Sequence, residues 1–203
     1  MNPDFVARPR IVTISVGPAA PLEALNGRTV LSGIVKQPVA GPVAVRPLGL
    51  EGDEQADLEA HGGLAKAVYA YPQEHLPFWV AQREEHGVTP FDAPLASGFV
   101  GENLLLAGLL ERELWIGDTL HFEGSSCVLR VTWPREPCYK FSAVMGFAKA
   151  ARIMARQELT GFYMAVDAVG SLQAGMAITV VPGQRGLSVN EATRSRWAKQ
   201  RNL

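Results

Sequence analysis

Apolar and polar residues alternate with a period of two over many short stretches of this chain, the pattern of half-buried strands. Together with short apolar runs set between frequent turn residues, it predicts strands at 11–16, 43–47, 67–71, 103–106, 113–116, 119–122, 127–133, 162–166 and 177–181. In 127–133 the residues Cys127, Leu129, Val131 and Trp133 share one face, apart from Arg130 and Thr132. Gly117-Asp118 is the hairpin turn expected between 113–116 and 119–122. Two stretches switch to helical spacing. In 73–85 the residues Leu76, Trp79, Val80 and Arg83 recur on one side, and in 142–158 Ser142 is the expected N-cap of a stripe made by Val144, Phe147, Ala151 and Met154. Many short strands with few helices predict a mainly β fold, a closed or partly closed β-barrel.

Composition narrows the class. With 203 residues, 47% of them hydrophobic and 19% charged, the chain can bury one substantial core. The expected division is a β-barrel domain over 1–185 and a short helical tail over 186–203. In that tail Ser188-Val189-Asn190-Glu191 has capping-box spacing and 192–201 reads as an exposed helix. A net charge of −1 argues against a dedicated nucleic-acid binder. No apolar run approaches the roughly 20 residues that span a bilayer. The start, Met1 to Arg8, lacks the basic and apolar regions of a secretory signal, so the expected location is cytoplasmic. Nothing in the pattern specifies an oligomeric state.

The chain has two cysteines. A disulfide between Cys127 and Cys138 is disfavoured by a reducing compartment and by the strand expected between them, and Cys127 reads as structural. Two cysteines are too few for a zinc cluster, and His61, His75, His86 and His121 show no ligand-like pairing. Cys138 is different. It lies in Trp133-Pro134-Arg135-Glu136-Pro137-Cys138-Tyr139-Lys140, where two prolines stiffen the loop and two cations favour the thiolate. Two readings stand side by side: a nucleophilic or metal-ligating thiol, and a small buried hydrophobe in a turn.

Three further stretches bear on that choice: Gly49-Leu50-Glu51-Gly52-Asp53-Glu54-Gln55-Ala56-Asp57, His61-Gly62-Gly63-Leu64-Ala65-Lys66-Ala67-Val68, and Gly98-Phe99-Val100-Gly101-Glu102-Asn103-Leu104. In this order, followed by Pro-Arg-x-Pro-Cys-Tyr-Lys, they resemble a MOSC domain, named for the C-terminal domain of molybdenum cofactor sulfurases. More narrowly they resemble its YiiM-type branch, from about Ile11 to about Pro182, including Lys36-Gln37-Pro38-Val39 and Gly161-Phe162-Tyr163. The resemblance implies a MOSC-type β-barrel. It also implies a molybdenum cofactor (Mo-molybdopterin) with Cys138 as the metal's protein ligand, a soft thiolate of the kind such a metal accepts.

The cofactor's phosphate needs cations and unhindered backbone N–H groups. His61-Gly62-Gly63 with Lys66 offers both in one loop; a tight turn before the next strand is the plain alternative. Arg135 and Lys140 could hold phosphate or pterin oxygens, or lower the thiol pKa, and Lys36 is another phosphate candidate. Glu102 and Asn103 could match the pterin edge, or close a β-turn. Tyr139 and Tyr163 could wall the pocket, and Asp53 and Asp57 read as turn-closing unless they lie near the thiol. Phe162 stands where this branch leads one to expect an indole, a change at the pocket rim.

The activity implied is two-electron reduction of a small N-hydroxylated substrate, such as a hydroxylamino-purine, with His61 or Tyr163 relaying protons. Electrons would come from a separate reductase, since no Gly-x-Gly-x-x-Gly follows a strand. Two other readings remain. One is a non-catalytic cofactor carrier or sulfur-handling module using Cys138. The other is a pyridoxal phosphate site on Lys66.

Overall fold

The computed structural model describes residues 8–56, 62–89 and 94–201. In chain order it forms β1 (Arg10–Val16), β2 (Ala20–Glu23), β3 (Thr29–Ser32), β4 (Gln37–Val39), β5 (Val43–Arg46), β6 (Gly49–Leu50), β7 (Val68–Pro72), α1 (Leu76–Glu85), β8 (Leu104–Ala107), β9 (Thr119–Phe122), β10 (Val128–Pro134), α2 (Tyr139–Met145), α3 (Ala150–Arg156), β11 (Phe162–Ala168), β12 (Gly170–Leu172), β13 (Ile178–Val181) and α4 (Val189–Arg201). Short 3-10 turns at Leu64–Lys66 and Gln73–His75 lead into β7 and α1.

Eight strands make one mixed sheet in the order β13-β9-β10-β11-β7-β8-β1-β4. Only β7 and β8 run parallel within it, and the crossover this demands carries α1. Separate small sheets are β12-β5-β6 and the β2-β3 hairpin. Among the described residues the large ladder does not close into the expected barrel. The start of β1 nonetheless meets the approach to β13 through one bridge, Arg10 to Ala177, and through Ile11 N–H to Met176 O at 3.0 Å and Ile178 N–H to Pro9 O at 2.7 Å. No helix among the described residues is long and apolar enough to cross a membrane.

Strand alternation sorts the core into two clusters. Val68 and Ala70 of β7 join Ile11, Ile14, Leu104, Leu129 and Phe162 on one side of the sheet. Tyr69 and Tyr71 of the same strand join Trp79, Phe141, Met145 and Met154, where the helices pack on the other. A strand buried on both faces has no polar side to give away, and each large side chain removed from water contributes about 1.5–3 kcal/mol. Trp79 keeps its one donor satisfied by Tyr71 Oη at 2.6 Å.

The sequence expectations need five further corrections. No strand forms at 113–116; Glu111–Glu113 is a 3-10 turn and Trp115 makes an isolated bridge to Ser188. The cause is Asp118, which is fully buried and accepts from the N–H groups of Trp115 (2.9 Å) and Gly183 (2.8 Å). A register shift between Val131 and Trp133 takes Trp133 off the buried face of β10. The single helix expected over 142–158 is two, because Gly146 at φ 85° ends α2. Cys138 is the N-cap residue, and Ser142 lies inside α2, its hydroxyl accepting from Ala151 N–H at 3.1 Å and donating to Ala148 O at 3.2 Å. Finally, α4 has its capping box, with Ser188 N–H to Glu191 at 2.9 Å and Glu191 N–H to Ser188 Oγ at 3.2 Å, but its first turn is packed: Val189, Ala192 and Thr193 are buried.

Gly161, at the entrance to β11, sits at φ 62°, and a Cβ there would press on Ala70 O and come within 2.9 Å of the Tyr69 and Tyr71 rings. Gly27, at φ 76°, has open space around it. In urea titrations Gly161→Ala should cost about 3 kcal/mol, from overpacking added to left-handed strain, and Gly27→Ala only about 1 kcal/mol. Equal costs would contradict this packing.

Candidate functional site

β10 ends at Pro134, and the next residues deliver Cys138, half-buried and extended (φ −131°, ψ 177°), to the start of α2. Pro137 cannot donate and fixes its own φ, so the thiol is presented by a stiff lead-in. Beneath it lies Arg135, 6% exposed. Its Nη1 donates to Val100 O at 2.6 Å and to Tyr69 Oη at 3.3 Å, and the guanidinium lies 5.0 Å from the Tyr69 ring and 5.1 Å from the Phe141 ring. Burial opposes its charge, yet Tyr69, Tyr163 and Cys138 around it hold its pKa above the ordinary arginine value.

Cys138 opens onto a cavity of about 90 Å³ whose wall includes Lys36, Lys66, Arg135, Lys140, Asn103 and Tyr163. Sequence-separated cations and the thiol thus come together. Their states differ. Lys36 forms a buried ion pair with Asp53, which also accepts from Asn103 Nδ2 at 2.9 Å and Gly17 N–H at 3.0 Å. Asn103 Oδ1 in turn accepts from Tyr69 N–H at 3.0 Å. Lys140 Nζ donates to Leu31 O at 3.0 Å, and Lys66 Nζ stands 5.8 Å from the centre of the Tyr163 ring. Burial raises the Tyr163 pKa and keeps its phenol protonated.

Other expected site residues are elsewhere. Glu102 is fully buried and accepts from Gly98 N–H at 2.6 Å and Val100 N–H at 3.2 Å, tying the turn before β8 without lining the cavity. Gly62 and Gly63 also stay off the wall, and Gly63 N–H donates to Gln55 Oε1 at 2.7 Å. Tyr139 points to solvent at 57% exposure. Phe162 is fully buried in the sheet core and shapes no rim. His61 and Asp57 lie outside the described residues.

Asp53 does lie on the cavity wall, with Gln55 and Tyr69, which sequence reasoning passed over. Asp53 read as turn-closing, and Gln55, two residues on, was given no role. Tyr69 fell within the strand expected at 67–71, and a strand pattern carries no sign of which buried face adjoins a cavity. Among the described residues no three His, Cys, Asp or Glu side chains gather as a metal site, so a metal at Cys138 would have to bring its other ligands with it.

Residues 57–179 match the MOSC domain. The chain belongs to the MOSC domain family. Within it the chain is of the YiiM type: Protein YiiM of Escherichia coli (strain K12) is 34% identical over 166 residues, covering 82% of this chain and 71% of that protein. The crystal structure of YiiM from Geobacillus stearothermophilus superposes with a TM-score of 0.72 at 28% identity, over 95% of this chain and 85% of that one. A protein of Gibberella moniliformis (strain M3125 / FGSC 7600) named Reductase is 32% identical over 179 residues, 85% of this chain but 30% of that protein.

In this MOSC chain the Glu102 carboxyl carries a testable charge. Burial pushes its pKa up to about 7, against the pull of the Gly98 and Val100 N–H groups and of Arg135. The folded state therefore holds a proton that the unfolded state releases at ordinary carboxylate pH, and this group's contribution falls as pH rises from about 4.5 to about 7. The loss is about 3 kcal/mol at 1.36 kcal/mol per pKa unit. Urea midpoints at pH 5 and pH 8 should differ less in Glu102→Gln than in the wild type; an identical difference would contradict the assignment.

Proposed function

We propose that this chain is an oxidoreductase that holds the molybdenum cofactor through Cys138 and reduces N-hydroxylated compounds, hydroxylamino-purines among them, with electrons from a separate reductase. The observation that carries this reading is the half-buried Cys138 thiol on the wall of a cation-lined cavity in a YiiM-type MOSC chain. The fungal relative's name supports the redox direction. The reading takes 1–185 as the reacting domain and 186–203 as its tail, in the cytoplasm, where a thiol ligand stays reduced.

The donor set suits the cofactor. Cys138 Sγ is a soft ligand, and among the described residues no three His, Cys, Asp or Glu side chains gather as a metal site, as suits a metal that arrives already held by dithiolene sulfurs. Lys66 and Lys140 would hold the phosphate, since an ammonium has three donors and can serve a protein group and a ligand together. Lys36 is neutralised by Asp53, and Arg135 is bonded inward to Val100 and Tyr69, so these two set the wall and its charge. When bound, the cofactor supplies a centre that exchanges two electrons.

The net change is R–NHOH plus two electrons and two protons to R–NH2 and water. Tyr163 Oη, kept protonated by burial, holds a proton at the cavity wall for the departing oxygen. Arg135 keeps positive charge at the cavity wall beside Cys138.

Molybdenum should be near-stoichiometric in wild type from a cofactor-replete host and fall at least about tenfold in Cys138→Ser, a loss of at least about 1.4 kcal/mol in retention. The wild type should reduce hydroxylamino-purine with a small chemical reductant. Metal retained without turnover would leave the carrier or sulfur-handling role; no metal in either protein would overturn the assignment.

A further inference from the structure

On the far side of the Cys138 loop, α3 and α4 frame a hollow of about 420 Å³ lined by Arg152, Arg156, Arg194, Glu158 and Trp197. Arg152 and Arg156 stand one helical turn apart on α3, both exposed, and neither makes an ion pair among the described residues. Arg194 is paired with Glu158 at 2.6 Å. Three guanidinium groups against one carboxylate leave the hollow positive on a chain whose net charge is −1. Such local charge steers and orients an acidic partner.

The hollow does not stop at the helices. A smaller one shares Trp197 with it and runs to Pro134, Arg135 and Pro137. Arg135 also lines the Cys138 cavity, and Pro137 directly precedes Cys138. The basic hollow and the thiol cavity are therefore separated by the width of this one loop. The near-neutral chain argues against nucleic acid as the occupant.

We propose that the α3–α4 hollow docks the acidic face of the electron-donating protein, a flavin or iron–sulfur carrier, so that electrons enter behind Cys138 and the substrate from the cavity side. This rests on the reductase reading above. In balance, two electrons enter per turnover, from one docking of a two-electron flavin carrier or two successive dockings of a one-electron carrier, and these with two protons convert R–NHOH to R–NH2 and water.

The test is the double variant Arg152→Glu/Arg156→Glu, with Arg46→Glu on β5 as control, titrated calorimetrically with an acidic flavodoxin at about 0.02 M and about 0.3 M salt. Wild type and control should bind at low salt and weaken as salt rises, and the double variant should bind at least about tenfold more weakly. Turnover with reduced flavodoxin should fall in proportion, while turnover with a small chemical reductant and the melting temperature stay unchanged. If the wild type turns over with the small reductant yet the double variant binds flavodoxin equally well, or the wild type shows no salt-dependent binding, the docking assignment falls and the reductase reading stands. If the wild type does not turn over with the small reductant, the reductase reading falls and the docking assignment with it.

Discussion

The Asp53 carboxylate organises the site. Nearly buried itself, it takes Lys36 from the stretch after β3, Asn103 from the approach to β8 and the Gly17 amide from the end of β1. A buried carboxylate is tolerable only with such company, and removing one partner of a buried pair typically costs about 3–5 kcal/mol. Asp53 thereby ties its own loop to three segments that the β8-β1-β4 ladder already brings side by side. From Asn103 the bonds continue through the Tyr69 amide in β7, and the Tyr69 hydroxyl accepts from Arg135 beneath the thiol. The cavity wall is thus built by the chain before any ligand arrives, which is the condition for a site that orients what it binds.

The same network divides labour among four cations that look equivalent in the sequence. Lys36 balances Asp53, and Arg135 is clamped between two aromatic rings with its donors turned to Val100 and Tyr69. Lys66 and Lys140 are the ones carried by short surface elements, the 3-10 turn before β7 and the first turn of α2. A planar, delocalised guanidinium suits the buried stacked position, and a flexible ammonium suits the mouth.

Alternation in strands such as β10 and short apolar runs such as β7 and β8 made eight of the observed strands legible, because burying one face or both leaves a local mark. β4, β6 and β12 have too few residues for a period to register, and β2 and β3, as long as β9, form a hairpin whose strands bury only Ser32. The helix break at Gly146 was hidden by an apolar stripe that continues across it, and the lost strand at 113–116 by Asp118, whose bonds reach to Gly183. Cys138, Lys66 and Arg135 were legible because proline, glycine and charge next to a thiol are locally unusual. Asp53 was not, since its importance lies in partners 17, 36 and 50 residues away. Glu102 entered the candidate site as a match for the pterin edge and Tyr139 as a pocket wall, and the fold turns one into a sealed turn and the other to solvent.

The most direct measurement is X-ray absorption at the molybdenum edge of the loaded protein, comparing wild type with Cys138→Ser for the number of sulfur neighbours of the metal. The account predicts one more sulfur in the wild type than in whatever metal the variant retains, the cofactor's own sulfurs being common to both. Equal sulfur counts at equal metal content would mean that Cys138 is not the ligand, and the cation-lined cavity would have to be explained without it.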